Sequence, residues 1–192
     1  MLNFRCAQKT CGVETTNGAT VVVCMDKVEG TAPPFASIYL FTTDYIPYID
    51  TGLGIATASD LDGYYAFDGI KADTFTVTVV NNADSRSAVL IGYQNANLQA
   101  KLELPGSLEG KVISNEYGTI LVFIYGTGYY TLLKSAGSFE FNSLPGGKYK
   151  IQAARIVKRT FPAKPMIEAL SEIQDIVIIP GKKITVPELF IP

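Results

Sequence analysis

The chain has 192 residues, of which 47% are apolar and 18% are charged, a composition typical of folded globular proteins. Its formal net charge of −2 provides no general basic field, so the composition argues against a nucleic-acid partner. Histidine is absent, which removes the commonest general base, the usual nucleophile pairs and the usual catalytic zinc sites. We therefore expect neither enzyme activity nor a cofactor.

Residues 1–16 are predicted to form an N-terminal tail. All three cysteines, Cys6, Cys11 and Cys24, lie in the first 24 residues. An odd count does not describe a disulfide framework, and a zinc site would need a fourth ligand, so free or locally paired thiols are predicted rather than a metal site. The tail has no apolar stretch of signal-peptide length, which leaves a cytosolic protein or an exported one whose leader has been removed. An early cysteine before a polar stretch also suits a lipid anchor, although the residues before Cys6 are not the small ones that such anchoring requires.

Seven short strands are predicted between residues 19 and 104, because apolar and polar residues alternate in runs rich in Val, Ile, Thr, Tyr and Phe. Segments that contain Gly, Pro, Asn or Asp separate these runs and predict turns. The predicted strands are 19–25, 35–42, 54–60, 64–70, 74–80, 87–93 and 98–104.

The same order begins again after Pro105, so the chain contains an internal repeat. Residues 59–80 align with residues 133–154 without a gap, and six positions with strand periodicity match. The matched pairs are Gly63 and Gly137, Tyr65 and Phe139, Phe67 and Phe141, Ile70 and Leu144, Phe75 and Tyr149, and Val77 and Ile151. The predicted strands of the second copy are 107–114, 118–126, 129–135, 138–144, 148–156, 173–180 and 183–191.

The repeat predicts two domains, 17–104 and 105–192, with only a short hinge at Pro105. The polar residues between the matched positions differ freely between the copies, as Thr76 and Thr78 differ from Lys150 and Gln152. These side chains are predicted to lie on the solvent-facing side of each sheet.

The segment 157–175 has no counterpart of similar length in the first copy. It contains two prolines, and the stretch after Pro165 has the spacing of a short helix. A long loop with a short helix is therefore predicted here. Such an insertion can carry binding, or it can be a decorated loop without a ligand.

Two stretches carry a resemblance to a known family. They are "ATASDLDGYYAFDGIKADTFTVTV" at 56–79 and "LLKSAGSFEFNSLPGGKYKIQA" at 132–153, and the closing "IVIIPGKKITVPELFI" adds a final hairpin. This pattern resembles the carboxypeptidase regulatory-like domain, a prealbumin-like (transthyretin-like) β-sandwich. The resemblance implies an all-β chain of two tandem Greek-key β-sandwiches with about seven strands each.

The turn "SDLDG" is predicted to be a folding device. Asp60 and Asp62 can accept hydrogen bonds from backbone amides, and Gly63 can adopt angles that other residues resist. Tyr65 and Phe67 would then point into the core. A calcium loop is the alternative interpretation, but the third acid and the distal glutamate of such a loop are missing.

Tyr45, Tyr48, Tyr129 and Tyr130 are the candidate ligand-binding residues, because they cluster at predicted strand ends in equivalent loops of the two copies. Amphipathic rings of this kind suit sugar stacking and protein contacts. The competing interpretation is that one member of each pair packs in the core while the other covers a sheet face.

The resemblance implies a non-catalytic structural or adhesion module on the outer surface of a bacterium. It also allows an outer-membrane lipoprotein anchored near its N-terminus. The alternative is a carbohydrate-binding module that uses the four tyrosines. The expected partner is a surface protein or a glycan, and the sequence leaves the oligomeric state open.

Overall fold

The computed structural model describes residues 18–24, 27–50, 54–93, 97–157 and 164–192. Within these ranges the chain is all-β, as predicted, with seventeen strands and no helix. The strands are β1 (Gly18–Cys24), β2 (Lys27–Thr31), β3 (Ser37–Thr42), β4 (Ile55–Ala58), β5 (Tyr64–Asp68), β6 (Thr74–Val80), β7 (Ser87–Tyr93), β8 (Asn97–Lys101), β9 (Gly106–Ser114), β10 (Thr119–Ile124), β11 (Tyr130–Leu133), β12 (Gly137–Leu144), β13 (Gly147–Val157), β14 (Met166–Leu170), β15 (Gln174–Ile178), β16 (Lys183–Thr185) and β17 (Leu189–Ile191).

Strands β1 to β8 form the first sandwich from two antiparallel four-stranded sheets. Their orders are β5-β2-β1-β8 and β4-β3-β6-β7. Alternation along each strand sends apolar side chains between the sheets. On β6, for example, Phe75, Val77 and Val79 are fully buried in the core cluster.

Strands β9 to β17 form the second sandwich. One sheet has the order β11-β10-β13, with β14 and β15 both pairing β13, and the other has the order β12-β9, with β16 and β17 both pairing β9. Unlike every other pair in this sandwich, β16 and β17 run parallel to β9. The core lies between the sheets and includes Leu108, Ile151 and Ile191.

The two sandwiches share a pairing of glycine with an aromatic ring. Gly30 on β2 lies opposite Tyr65 on β5, and Gly110 on β9 lies opposite Phe139 on β12. The next aromatic along each strand packs edge-on, with ring centroids 6.1 Å apart in the first sandwich and 5.9 Å apart in the second. The similarity therefore extends from the aligned segments to the strands that pair with them.

Strand β1 has no counterpart in the second sandwich. It lies antiparallel between β2 and β8, so those two strands run in the same direction without touching. In the second sandwich β9 pairs directly with β16 and β17 in that parallel sense. The first sandwich thus contains an additional strand wedged between its first and last repeated strands.

The structure corrects three predictions. The predicted helix after Pro165 is strand β14, which pairs with β13. The first sandwich has eight strands rather than about seven because β2 was not predicted. The second has nine because β14 is a strand and the predicted strand 183–191 is divided into β16 and β17. Thr76, Thr78 and Gln152, predicted to face solvent, are only 6%, 4% and 4% exposed.

The connection at Pro105 is hydrogen-bonded on both sides. Glu103 exchanges two backbone bonds with Ser87 in the first sandwich, of 2.9 and 3.0 Å. The next residue, Leu104, accepts a bond of 3.2 Å from the amide of Gly181 in the second. The predicted hinge is therefore fixed to both neighbours.

Candidate functional site

The four candidate tyrosines lie where the two sandwiches meet. Tyr45 and Tyr48 belong to the connection between β3 and β4, while Tyr129 and Tyr130 lie at the start of β11. The rings of Tyr48 and Tyr130 have centroids 5.6 Å apart. The backbone carbonyl of Tyr45 accepts a bond of 2.9 Å from the Gly126 amide. These connections are topologically equivalent, and they contact each other across the joint.

The four rings differ in access to solvent. Tyr130 is 44% exposed. The hydroxyl of half-buried Tyr129 donates to the Ser143 carbonyl at 3.1 Å, and burial raises the pKa of that hydroxyl to about 12. Tyr45 is half-buried, with its ring centroid 4.8 Å from that of Phe41. Of the four candidate ligand-binding tyrosines, Tyr130 is therefore the accessible one, and its ring lies beside that of Tyr48.

The segment 46–50 covers an apolar patch on the second sandwich. The Asp50 carboxylate accepts a bond of 2.8 Å from the Ile46 amide, which closes the segment into a compact turn. Ile46, Tyr48 and Ile49 then pack against a buried cluster of the second sandwich, whose members are Leu121, Phe123, Ala154 and Ile156. This contact explains why β10 is apolar on both faces: one face fills the core and the other lies under the segment.

The outer face of the β4-β3-β6-β7 sheet completes the joint. Gly126 has a φ of 65°, and a Cβ there would lie 2.9 Å from the Thr76 hydroxyl. Val89 on β7 packs against the core cluster of the second sandwich. Thr76 is therefore buried by the neighbouring sandwich, which accounts for the failed prediction that it faces solvent.

A cleft of about 490 Å³ lies in the corner between the two sandwiches. Its walls are apolar with both signs of charge among them. The lining residues are Thr43, Asp44, Thr76, Val89, Ile91, Tyr125, Lys148, Tyr149, Lys150, Ile173 and Asp175. Sequence reasoning did not identify this cleft, because it needs residues of both copies.

A buried hydrogen-bonded chain supports one wall of the cleft. The hydroxyl of Tyr125 donates to the Gln152 side-chain oxygen at 2.6 Å. The amide nitrogen of Gln152 in turn donates to the Ser171 carbonyl at 2.6 Å. Gln152 was predicted to face solvent, but its side chain is buried and hydrogen-bonds to two groups inside the protein.

The "SDLDG" turn has the predicted form in part. One Asp60 carboxylate oxygen accepts bonds from the amides of Asp62 and Tyr64, at 3.0 and 2.8 Å. Asp62 contributes its backbone amide to this set rather than its carboxylate. Gly63 has a φ of 78°, as predicted for a glycine that turns the chain.

Among the described residues there is no group of three or more Asp, Glu, His or Cys side chains placed to hold a metal ion. The same ranges contain no helix that is long and apolar enough to cross a membrane. Cys6, Cys11 and the predicted lipid anchor lie outside the described residues.

No protein-family model matches the chain, and no curated protein sequence matches it. The solved structure of BcpA, the major pilin subunit of Bacillus cereus, is similar with a TM-score of 0.29 and 15% identity, over 90% of this chain and 59% of that one. The TIE protein of Bacillus anthracis gives a TM-score of 0.28 and 10% identity, over 95% of this chain and 42% of that one. This chain thus spans 59% and 42% of the two solved chains. Both scores are too low to indicate a shared arrangement of the whole chain.

Proposed function

We propose that the chain is a non-catalytic structural or adhesion module of a bacterial cell surface. In this proposal it comprises two domains, 17–104 and 105–192, of the carboxypeptidase regulatory-like kind. The repeated pairing of Gly30 with Tyr65 and of Gly110 with Phe139 supports common descent of the two domains. The surface location is an expectation from the family resemblance, with a surface protein or a glycan as partner.

The fixed joint between the sandwiches is the observation that carries the structural role. A spacer holds its ends at a defined separation only when its joints resist bending. Here the connection is hydrogen-bonded on both sides of Pro105, and the segment 46–50 buries an apolar patch across the joint. Both features are those of two domains held in one fixed arrangement rather than of two domains joined by a flexible linker.

Small-angle X-ray scattering of the dilute protein tests this role. We expect a single profile that fits the docked sandwiches at low and at high ionic strength, because the joint is mainly apolar. A profile that requires an ensemble of separated sandwiches would contradict the proposal.

A carbohydrate-binding module is the second candidate function, and the exposed ring of Tyr130 beside Tyr48 supports it. A glycan array tests it with Tyr130→Ala, which should abolish any sugar signal given by the unmodified protein. Tyr117→Ala is the matched control, since that ring is 98% exposed elsewhere on the second sandwich. An array without signal for the unmodified protein would exclude this candidate and leave the structural role standing.

A lipid anchor near the N-terminus is a separate proposal that rests on the early cysteines. Mass spectrometry of the protein isolated from cell membranes tests it. A diacylglycerol-modified Cys6 is the expected product, and an unmodified Cys6 peptide from that fraction would rule the anchor out.

A further inference from the structure

Three turns meet at one pole of the first sandwich and are tied together by side chains. The Ser59 hydroxyl donates to the Pro33 carbonyl at 2.6 Å and accepts from the Ala36 amide at 2.9 Å. The Asn82 side chain donates to the Phe35 carbonyl at 2.8 Å. We call the surface formed by turns 33–36, 59–63 and 81–86 the acidic tip.

Two apolar side chains of the acidic tip are left in solvent. Phe35 is 62% exposed and Leu61 is 73% exposed. Phe35 also has a φ of 59°, in a region that aromatic residues rarely adopt because the Cβ is crowded. Core packing does not account for this strain, since most of the ring is in water. The strained ring of Phe35 and the exposed Leu61 make this surface a candidate contact site.

Carboxylates dominate the rest of the acidic tip. Asp60, Asp62 and Asp84 are exposed there. Arg86 pairs with Asp84 at 3.4 Å. A partner for this surface needs an apolar recess with cations at its edge.

The corner cleft between the sandwiches has that character. Val89, Ile91 and Ile173 supply apolar lining, and the last two are 56% and 50% exposed. Lys148 and Lys150 also line the cleft, and neither forms a salt bridge within the described ranges. The remaining charged residues of the lining are Asp44 and Asp175, which could face Arg86 of the tip.

We propose that the acidic tip of one copy inserts into the corner cleft of a second copy. Phe35 and Leu61 would fill the apolar recess, and Asp62 would lie near Lys148 and Lys150. The tip and the cleft share no residue, so one copy can use both at once on different neighbours. Such a heterologous contact joins molecules head to tail, and the rotation between neighbours decides whether the series stays open or closes into a ring. This inference goes beyond the proposed function and does not depend on it.

Sedimentation velocity over a series of concentrations tests the contact. We expect reversible self-association of the unmodified protein at low ionic strength, with a Kd between about 1 µM and about 1 mM for so small an interface. The variants Asp62→Lys and Lys150→Asp should each remain monomeric, because like charges then meet in the cleft. An equimolar mixture of the two variants should assemble again, since every tip now faces a cleft of opposite charge.

The controls separate this contact from general stickiness and from misfolding. Asp73→Lys and Lys134→Asp make the same charge changes at exposed positions outside both surfaces and should associate like the unmodified protein. Leu61→Ser should weaken association without changing the circular dichroism spectrum. An unmodified protein that stays monomeric over the whole range, or a mixture of variants that does not assemble, would overturn the proposal. Scattering from the dilute monomer would still test the structural role independently.

Discussion

In each sandwich a glycine lies opposite an aromatic residue on the neighbouring strand. Gly30 lies opposite Tyr65, whose hydroxyl donates to the Thr20 carbonyl at 2.7 Å across the strand. In the second sandwich Gly110 lies opposite Phe139. A glycine at this point leaves room for the aromatic ring to lie over the neighbouring strand.

Substitution of these glycines by alanine tests how far the neighbouring atoms can move to make room for a Cβ atom. At Gly110 the new Cβ would meet the tips of Phe139 and Val186 at 2.6 Å, and we expect the free energy of unfolding to fall by about 1–3 kcal/mol. At Gly30 it would collide with the backbone carbonyl of Thr20, which cannot rotate away, so the loss should be larger. Chemical denaturation measures both, with Gly137→Ala as a nearly neutral control because its closest neighbour would be 3.9 Å away. Equal losses at Gly30 and Gly137 would contradict this account.

Phe35→Asn should stabilise the protein although it removes an aromatic ring. Asparagine tolerates a positive φ, and relief of the strain is worth about 1 kcal/mol. A thermal melt should therefore show a higher Tm. A clear fall in Tm would mean that the ring stabilises the fold, which would remove one argument for a contact role of the acidic tip.

Alkaline pH should destabilise the fold partly through Tyr129. Burial raises the pKa of its hydroxyl to about 12, whereas a tyrosine in the unfolded chain ionises near 10. Because the folded pKa is the higher one, this contribution is complete below pH of about 10 and is lost as the pH rises to about 12. Denaturation curves of Tyr129→Phe should show a smaller decline over that window. Tyr117→Phe, at an exposed ring, should follow the unmodified protein.

The core residues could be predicted from the sequence, and the accessible tyrosine could not. Tyr65 and Phe139 lie in runs that alternate with a period of two, so local pattern alone places them inside, where both are buried. Tyr129 and Tyr130 are adjacent and have the same local pattern. Tyr129 packs against the core cluster of the second sandwich, whereas Tyr130 contacts Tyr48 of the other sandwich.

Two strands, β2 and β14, were not predicted from the sequence, for different physical reasons. The Gly and Pro of 29–34 predict a turn where β2 lies. Its "VEG" at 28–30 matches the "LEG" at 108–110 on β9, and this match is a signal that predicts the strand. β14 has apolar residues at helical spacing after Pro165, and pairing with β13 overrides that preference. Its exposure alternates along the strand, with Ile167 and Ala169 half-buried and their neighbours in solvent.

The turn 46–50 is an element without regular structure, which two backbone bonds to the Ile46 carbonyl and one bond to the Asp50 carboxylate close. Asp50→Ala removes the acceptor for the Ile46 amide, and we expect a loss of about 1 kcal/mol in the free energy of unfolding. Leu121 and Phe123 should then be uncovered more often, so binding of a hydrophobic dye should rise. Asp44→Ala in the same connection should change neither quantity. Identical behaviour of the two variants would show that the Asp50 bond is dispensable.

At the scale of the whole molecule, the alternation of polar and apolar residues did not predict the contact between the two sandwiches. Thr76 and Thr78 have the polarity of a solvent-facing sheet surface, yet both are buried, and Thr76 lies against Gly126 of the second sandwich. Threonine is equally suited to water and to a packed interface, so composition cannot distinguish the two. β10 and β7, which are apolar on both faces, carry a local sign that a second surface covers them.

The joint should make the two sandwiches unfold together. We expect one calorimetric transition for the unmodified protein, because Val89 and the segment 46–50 pack across the joint. Val89→Asp places a charge in that contact and should split the transition into two. Ile91→Asp, two residues along the same face and 56% exposed, should leave a single transition. Two transitions in the unmodified protein would mean that the sandwiches are energetically independent.

The position of β1 bears on the ancestry of the chain. If β1 is taken away, β2 and β8 become adjacent strands with the same parallel sense as β9 and β17. On a duplication origin, the two copies therefore differ by one whole strand, which was either inserted into the first copy or lost from the second. In either case the sheet tolerates a change from a direct parallel pairing to two antiparallel pairings through an intervening strand.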